Sequence, residues 1–90
     1  MSVQDSIRDK LTQAFAPTAL EIADDSHRHA GHGGARPEGE THFRVEIVSA
    51  AFAGRSRVER QRMVYGVLAA ELADRVHALQ LRTLAPGEPA

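Results

Sequence analysis

A polar, glycine-rich segment from Ser26 to Glu40 is the feature that most limits how this chain can fold. Its four glycines and its proline make it a loop rather than a helix or a strand. The segment also holds His27, His29 and His32, which are three of the five histidines of the chain. Imidazole is a common metal ligand and titrates near neutral pH. The segment therefore predicts a loop that binds metal or senses protons.

The composition indicates one small soluble domain without cysteine chemistry. The chain has 90 residues, of which 42% are hydrophobic and 26% charged, as is usual for a globular domain. A net charge of −1 argues against a general polyanion binder. The absence of cysteine excludes disulfides, a thiol nucleophile and thiolate metal ligands from this chain. No apolar run is long enough to span a membrane and no signal-peptide core is present, so we expect a cytoplasmic protein.

The part of the chain before the loop predicts one helix and one strand. Ser2 and Asp5 resemble a capping box, and apolar residues then recur at three- and four-residue spacing as far as Phe15. Pro17 ends this helix, because the residue before a proline avoids helical dihedral angles. Alternation of apolar and polar residues over 20–25 then indicates a short strand.

The part of the chain after the loop begins with the clearest strand of the sequence. Residues 43–47 alternate between apolar and charged side chains, and this strand should pair antiparallel with the first one. Ser49 is placed to cap a short helical turn that Gly54 ends.

A long helix and a third strand should follow. Ser56 and Glu59 form a capping box that opens a helix from about Arg57 to Ala73, in which Gly66 suggests close packing. Alternation over 77–83 indicates a strand, which a right-handed crossover should place parallel to the second strand.

These elements predict an α+β domain with a mixed three-stranded sheet and its helices on one face. The predicted domain spans residues 1–85. A tail over residues 86–90, which begins with Pro86 and Gly87, is predicted to be disordered.

Short motifs along the chain resemble those of BolA-like proteins. These motifs are Asp25-Ser26, Glu40-Thr41-His42-Phe43, Val48-Ser49, Phe52-x-Gly54, Arg60-x-Arg62-x-Val64-Tyr65 and His77-Ala78-Leu79. They follow the expected order and together cover nearly the whole chain. The resemblance implies the αββααβ fold of the class II KH type, which agrees with the order of the elements above. One position departs from many relatives, since Gln61 stands where they have histidine, and it receives no site role.

The resemblance also implies a partner and a cofactor. BolA-like proteins bind monothiol glutaredoxins and share a bridging 2Fe–2S cluster, in which the glutaredoxin cysteine and glutathione supply thiolates to one iron. On this chain the ligands of the other iron would be His77 and a loop histidine, either His29 or His32. Because the chain lacks cysteine, it would belong to a histidine-loop subtype. Two imidazoles on one iron parallel the Rieske arrangement.

A second function is suggested by the arginines around the start of the long helix. Arg55, Arg57, Arg60 and Arg62 concentrate positive charge there. They form either an ordinary solvated helix face or a surface that contacts DNA phosphates, as in a transcriptional regulator. No Gly-x-x-Gly motif occurs between the helices, where Gly54-Arg55-Ser56-Arg57 lacks the second glycine, and this disfavours RNA binding of the KH kind.

Simpler interpretations of the histidines also stand. The loop histidines match no zinc motif and are either solvated or weak ligands of zinc, nickel or copper. A histidine beside a core face, such as His77, is often a packed side chain, and we expect His42 to be structural or solvent-facing.

The sequence shows no spacing typical of a catalytic nucleophile, its general base and a third residue that orients the base. We therefore predict a protein that is not an enzyme. The free protein is expected to be a monomer or a weak homodimer.

Overall fold

The computed structural model describes residues 2–24, 42–74, 76 and 78–89. Its elements in chain order are helix α1 (Val3–Phe15), strands β1 (Ala19–Asp24) and β2 (His42–Val48), a 3-10 turn (Ala50–Phe52), helices α2 (Arg57–Val67) and α3 (Ala69–Asp74), and strand β3 (Ala78–Leu84). None of the helices in the described ranges is long and apolar enough to cross a membrane.

The three strands form one mixed sheet, as the sequence predicted, and their order is β1-β2-β3. β1 runs antiparallel to β2, with Ile22 opposite Val45. β3 runs parallel to β2, with Leu81 opposite Val45. β2 is therefore the central strand, and β3 lies at an edge of the sheet.

The hydrophobic core lies between one face of this sheet and the helices. Alternate residues of β2 point into it and are fully or almost fully buried, whereas their neighbours Arg44 and Glu46 lie on the opposite face. The apolar stripe of α1 and Val64 of α2 cover the buried face. The rings of Phe15 and Phe52 meet at a centroid distance of 5.1 Å, which joins α1 to the 3-10 turn.

The long helix predicted as far as Ala73 is divided at Leu68. This residue leaves the helical conformation (φ −100°, ψ 16°) while its side chain enters the core with 1% of its surface exposed. Gly66 precedes the break and has the lowest helix propensity of any residue except proline. The close packing predicted at Gly66 is wrong, because a Cβ added there would meet no atom within 4 Å among the described residues, apart from its chain neighbours and the backbone of its own helix.

Ser49 connects three parts of the fold from a fully buried position. Its hydroxyl donates to the carbonyl oxygen of Phe15 at 2.6 Å and accepts from the N–H of Ala51 at 3.1 Å. Its own N–H donates to the carbonyl oxygen of Leu84 at 2.9 Å. The end of α1, the 3-10 turn and the end of β3 thus meet at one side chain.

The chain after β3 turns back onto α2. The N–H of Ala85 donates to Oε1 of Glu88 at 2.8 Å, and the N–H of Glu88 donates to the carbonyl oxygen of Ala85 at 3.1 Å. Glu88 also accepts two hydrogen bonds from the guanidinium of Arg60. The sequence predicted disorder from Pro86 onward, whereas these bonds hold residues 86–88 in a turn against the helix.

Candidate cluster-ligand region and arginine groove

One end of the sheet brings together the chain segments that flank the predicted metal ligands. β1 ends at Asp24, which lies opposite Phe43 in β2. His42, the first residue of β2, lies opposite Ala78, the first residue of β3. The histidine loop therefore leaves and re-enters the sheet at the end where β3 begins. His29, His32 and His77 themselves lie outside the described residues.

His42 is the one histidine that the structure describes. It is partly exposed and lies on the sheet face opposite to that of Phe43, which is buried. This placement agrees with the predicted structural or solvent-facing role. Within residues 2–24, 42–74, 76 and 78–89, no group of three acidic or histidine side chains is arranged to hold a metal ion.

The structure separates the four predicted arginines into different environments. Arg60 is only 9% exposed, and its guanidinium donates to the carbonyl oxygens of Arg55 (3.0 Å) and Thr83 (3.2 Å) as well as to both carboxylate oxygens of Glu88. It therefore serves the fold and adds no accessible charge for phosphate. Arg57 and Arg62 are exposed.

A groove between α2 and β3 collects positive charge that the sequence analysis only partly identified. Arg55, Arg57 and Arg60 line it from the side of the helix, and Arg82 of β3 joins them. Arg55 has a side chain that is 53% exposed and a loose ion pair with Glu59 at 3.7 Å. From the alternation of apolar and polar residues in β3, the sequence could have predicted that Arg82 lies on the outer sheet face. It could not have predicted that Arg82 lines the same groove as α2.

Glu88 is the second residue that the sequence analysis missed. The pKa of Glu88 is lowered to about 2, mainly by the hydrogen bonds from Arg60 and also by the N–H of Ala85. The same bonds raise the pKa of Arg60 above its usual value. This pair therefore closes one end of the groove with its charges mutually compensated.

Comparison with known proteins identifies the family. The family model described as "BolA-like protein" matches residues 11–88. The chain belongs to the BolA-like family. A protein described as "Uncharacterized protein in cobS 5'region" of a Sinorhizobium species is 49% identical to it, over 99% of this chain and 97% of that protein. The "DNA-binding transcriptional regulator BolA" of Escherichia coli (strain K12) is 43% identical, over 92% of this chain and 75% of that protein.

A solved structure of the family has the same fold. The BolA domain of SufE1 from Arabidopsis thaliana superposes with a TM-score of 0.86 at 43% identity, and the match covers 99% of this chain and 98% of that chain. The predicted family and the predicted α+β fold are both confirmed.

Most of the motif residues that resemble the BolA-like family, where the structure describes them, have a role in the fold. Ser49, Phe52 and Val64 are fully buried. Gly54 has a φ of +74°, a left-handed conformation that favours glycine. These motif residues contribute to the core and its turns, so the functional part of the resemblance rests on the histidine-containing motifs.

Proposed function

We propose that this BolA-like protein is a non-enzymatic adaptor that binds a monothiol glutaredoxin and supplies ligands to a bridging 2Fe–2S cluster. His77 and one loop histidine, His29 or His32, would be the ligands from this chain. The observation that carries the proposal is the pairing of His42 with Ala78, beside the end of β1 at Asp24. This register places His42, which follows the histidine loop, beside the residue that follows His77, and Asp24, which precedes the loop, lies across β2 at the same end of the sheet.

The donor chemistry of the chain fits such a cluster. The chain has no cysteine, so its own contribution to an iron site cannot come from a thiolate and would come from other donors, of which imidazole is the one the predicted site offers. When bound, the cluster would supply an iron that accepts two imidazoles, with thiolates confined to the glutaredoxin side. The role of this chain is then to position neutral imidazole nitrogens at one end of a sheet anchored in the core.

The first test is anaerobic co-purification with a monothiol glutaredoxin. We expect a heterocomplex whose visible absorption and circular dichroism differ from those of the glutaredoxin homodimer. His77→Ala should abolish that difference, and a comparison of His29→Ala with His32→Ala should identify the loop ligand. His42→Ala is the matched control, because His42 lies at the same end of the sheet but is not a proposed ligand. If the spectrum and the cluster lifetime are unchanged in His77→Ala, His77 is not a ligand of the cluster.

Metal binding by the loop alone is an alternative that calorimetry distinguishes. Tight, stoichiometric binding of zinc, nickel or copper to the free protein, abolished when His27, His29 and His32 are replaced, would favour this alternative. Weak binding is what the adaptor function predicts, because the loop sequence contains nothing that preorganises three imidazoles.

A DNA-binding regulator is the second candidate function. The observations that favour it are the name of the Escherichia coli relative and the exposed Arg57 and Arg62. Phosphate contacts would make the affinity for DNA fall steeply with salt. The double variant Arg57→Gln/Arg62→Gln should reduce the slope of log affinity against log salt concentration by about one for each phosphate that is no longer neutralised. Arg8→Gln is the control, since Arg8 lies on α1. If the protein causes no sequence-preferring mobility shift of DNA at physiological salt, direct DNA binding is excluded.

A further inference from the structure

The peptide groups of β3 alternate between the central strand and the outer edge of the sheet. Leu84 accepts a hydrogen bond from the N–H of Ser49, so its peptide groups face β2. Thr83 instead accepts from Arg60 of α2, so its carbonyl faces away from β2. Because this orientation alternates along a parallel strand, the peptide groups of Leu79 and Leu81 also face outward.

Among the residues that the structure describes, side chains occupy only the carboxyl-terminal end of this outer edge. Arg60 covers the carbonyl oxygen of Thr83, and Glu88 covers the N–H of Ala85. In the described part of the chain, β3 pairs with β2 alone, and no group bonds to the outward peptide groups of Leu79 and Leu81. An open edge of this kind can pair with an added strand.

Positive charge flanks the open edge on both faces of the sheet. Arg82 projects from the outer face, since its backbone neighbours Leu81 and Thr83 belong to the inner face. Arg55 and Arg57 approach from the side of α2 and line the same groove as Arg82. Among the described residues, neither Arg57 nor Arg82 takes part in an ion pair.

These charges select the kind of strand that can be added. Successive side chains of an added strand point to opposite faces, so glutamates or aspartates on both faces would meet guanidinium groups. A second copy of this chain would bring the same arginines against each other, and like charges disfavour such pairing. Charge complementarity thus favours an acidic segment of another protein.

We propose that the outer edge of β3, over residues 79–83, binds an extended acidic segment of a partner protein by strand addition. The backbone of the segment pairs with Leu79, Leu81 and the N–H of Thr83, and its carboxylates lie beside Arg57 and Arg82. The Arg60–Glu88 pair marks the end of the bound strand. This binding needs no cluster and no histidine.

The test is an NMR titration of the uniformly 15N-labelled full chain with a short peptide of repeating Thr-Thr-Glu-Glu, which places acids on both faces. We expect shifts of the amides of Leu79, Leu81 and Thr83 and their slower hydrogen exchange. Arg57→Gln and Arg82→Gln should each weaken binding by up to about fivefold, which is the scale of an exposed ion pair. Arg8→Gln on α1 should leave the affinity unchanged.

Two further ligands make the outcome decisive. The same peptide with every amide N-methylated keeps its charge, but it cannot donate to the outward carbonyl oxygens of β3 and its methyl groups hold its backbone away from the edge. We therefore expect it not to protect these amides. Equal binding of the methylated peptide would reduce the interaction to charge alone and overturn strand addition. Shifts at these amides caused by single-stranded oligothymidine but not by the acidic peptide would assign the surface to nucleic acid instead. No shift with any ligand would also overturn the proposal.

Discussion

Replacement of Ser49 by alanine should destabilise this protein more than the loss of a single hydroxyl suggests. The hydroxyl makes two hydrogen bonds from a fully buried position, one to the carbonyl of Phe15 and one from the N–H of Ala51. Alanine would leave both backbone groups without that partner. A hydrogen bond contributes about 1 kcal/mol and an unsatisfied buried group costs about 1–3 kcal/mol. We therefore expect the free energy of unfolding to fall by about 2–4 kcal/mol.

Urea unfolding followed by circular dichroism measures this effect. A loss of this size should lower Tm by roughly 10–25 °C in a domain of this length, without a change in the dependence of the free energy on urea. Ser56→Ala is the matched control, because Ser56 also caps a helix with its hydroxyl but is exposed. The control should lose only about 1 kcal/mol. Equal losses in the two variants would refute the argument from burial.

Three further changes follow from the described contacts. Gly66→Ala should stabilise the protein by about 0.5–1 kcal/mol in urea unfolding, because an added Cβ meets open space; a loss of stability would show hidden crowding. Because the pKa of Glu88 is lowered, its ion pair with Arg60 stabilises the fold fully above about pH 4.5 and progressively less as pH falls toward 2. The loss of Tm caused by Glu88→Gln should therefore shrink over that range. A loss of Tm that does not depend on pH would contradict this. Lys10→Met should cost about 1–2 kcal/mol, because it removes the ammonium group that contacts both carboxylate oxygens of Glu71 (3.0 and 2.7 Å); a neutral result would show that this pair adds nothing to stability.

Local signals in the sequence predicted most of the fold. The capping box of Ser56 and Glu59 is present with both of its hydrogen bonds, and Ser49 caps the 3-10 turn as expected. The crossover rule gave the parallel direction of β3, which in turn places the residue after His77 beside His42. Each of these features depends on residues close in sequence or on a general rule of chain topology.

The features that the sequence did not predict depend on distant contacts. Arg60 and Glu88 are separated by 28 positions, and only the folded chain brings them together. The same pair explains why Arg60 does not join the exposed arginines and why the turn after β3 packs on α2. The break at Leu68 likewise depends on where the core lies, since the helical periodicity of the sequence continues beyond it.

The proposed cluster ligation is tested most directly by pulsed electron paramagnetic resonance of the reduced heterocomplex. Only the histidines of this chain would be labelled with 15N, while the glutaredoxin and glutathione keep natural nitrogen. Ligation by two imidazoles predicts strong 15N couplings to the cluster, which His77→Ala reduces and His42→Ala leaves intact. A cluster spectrum without 15N coupling from this chain would contradict the proposed function.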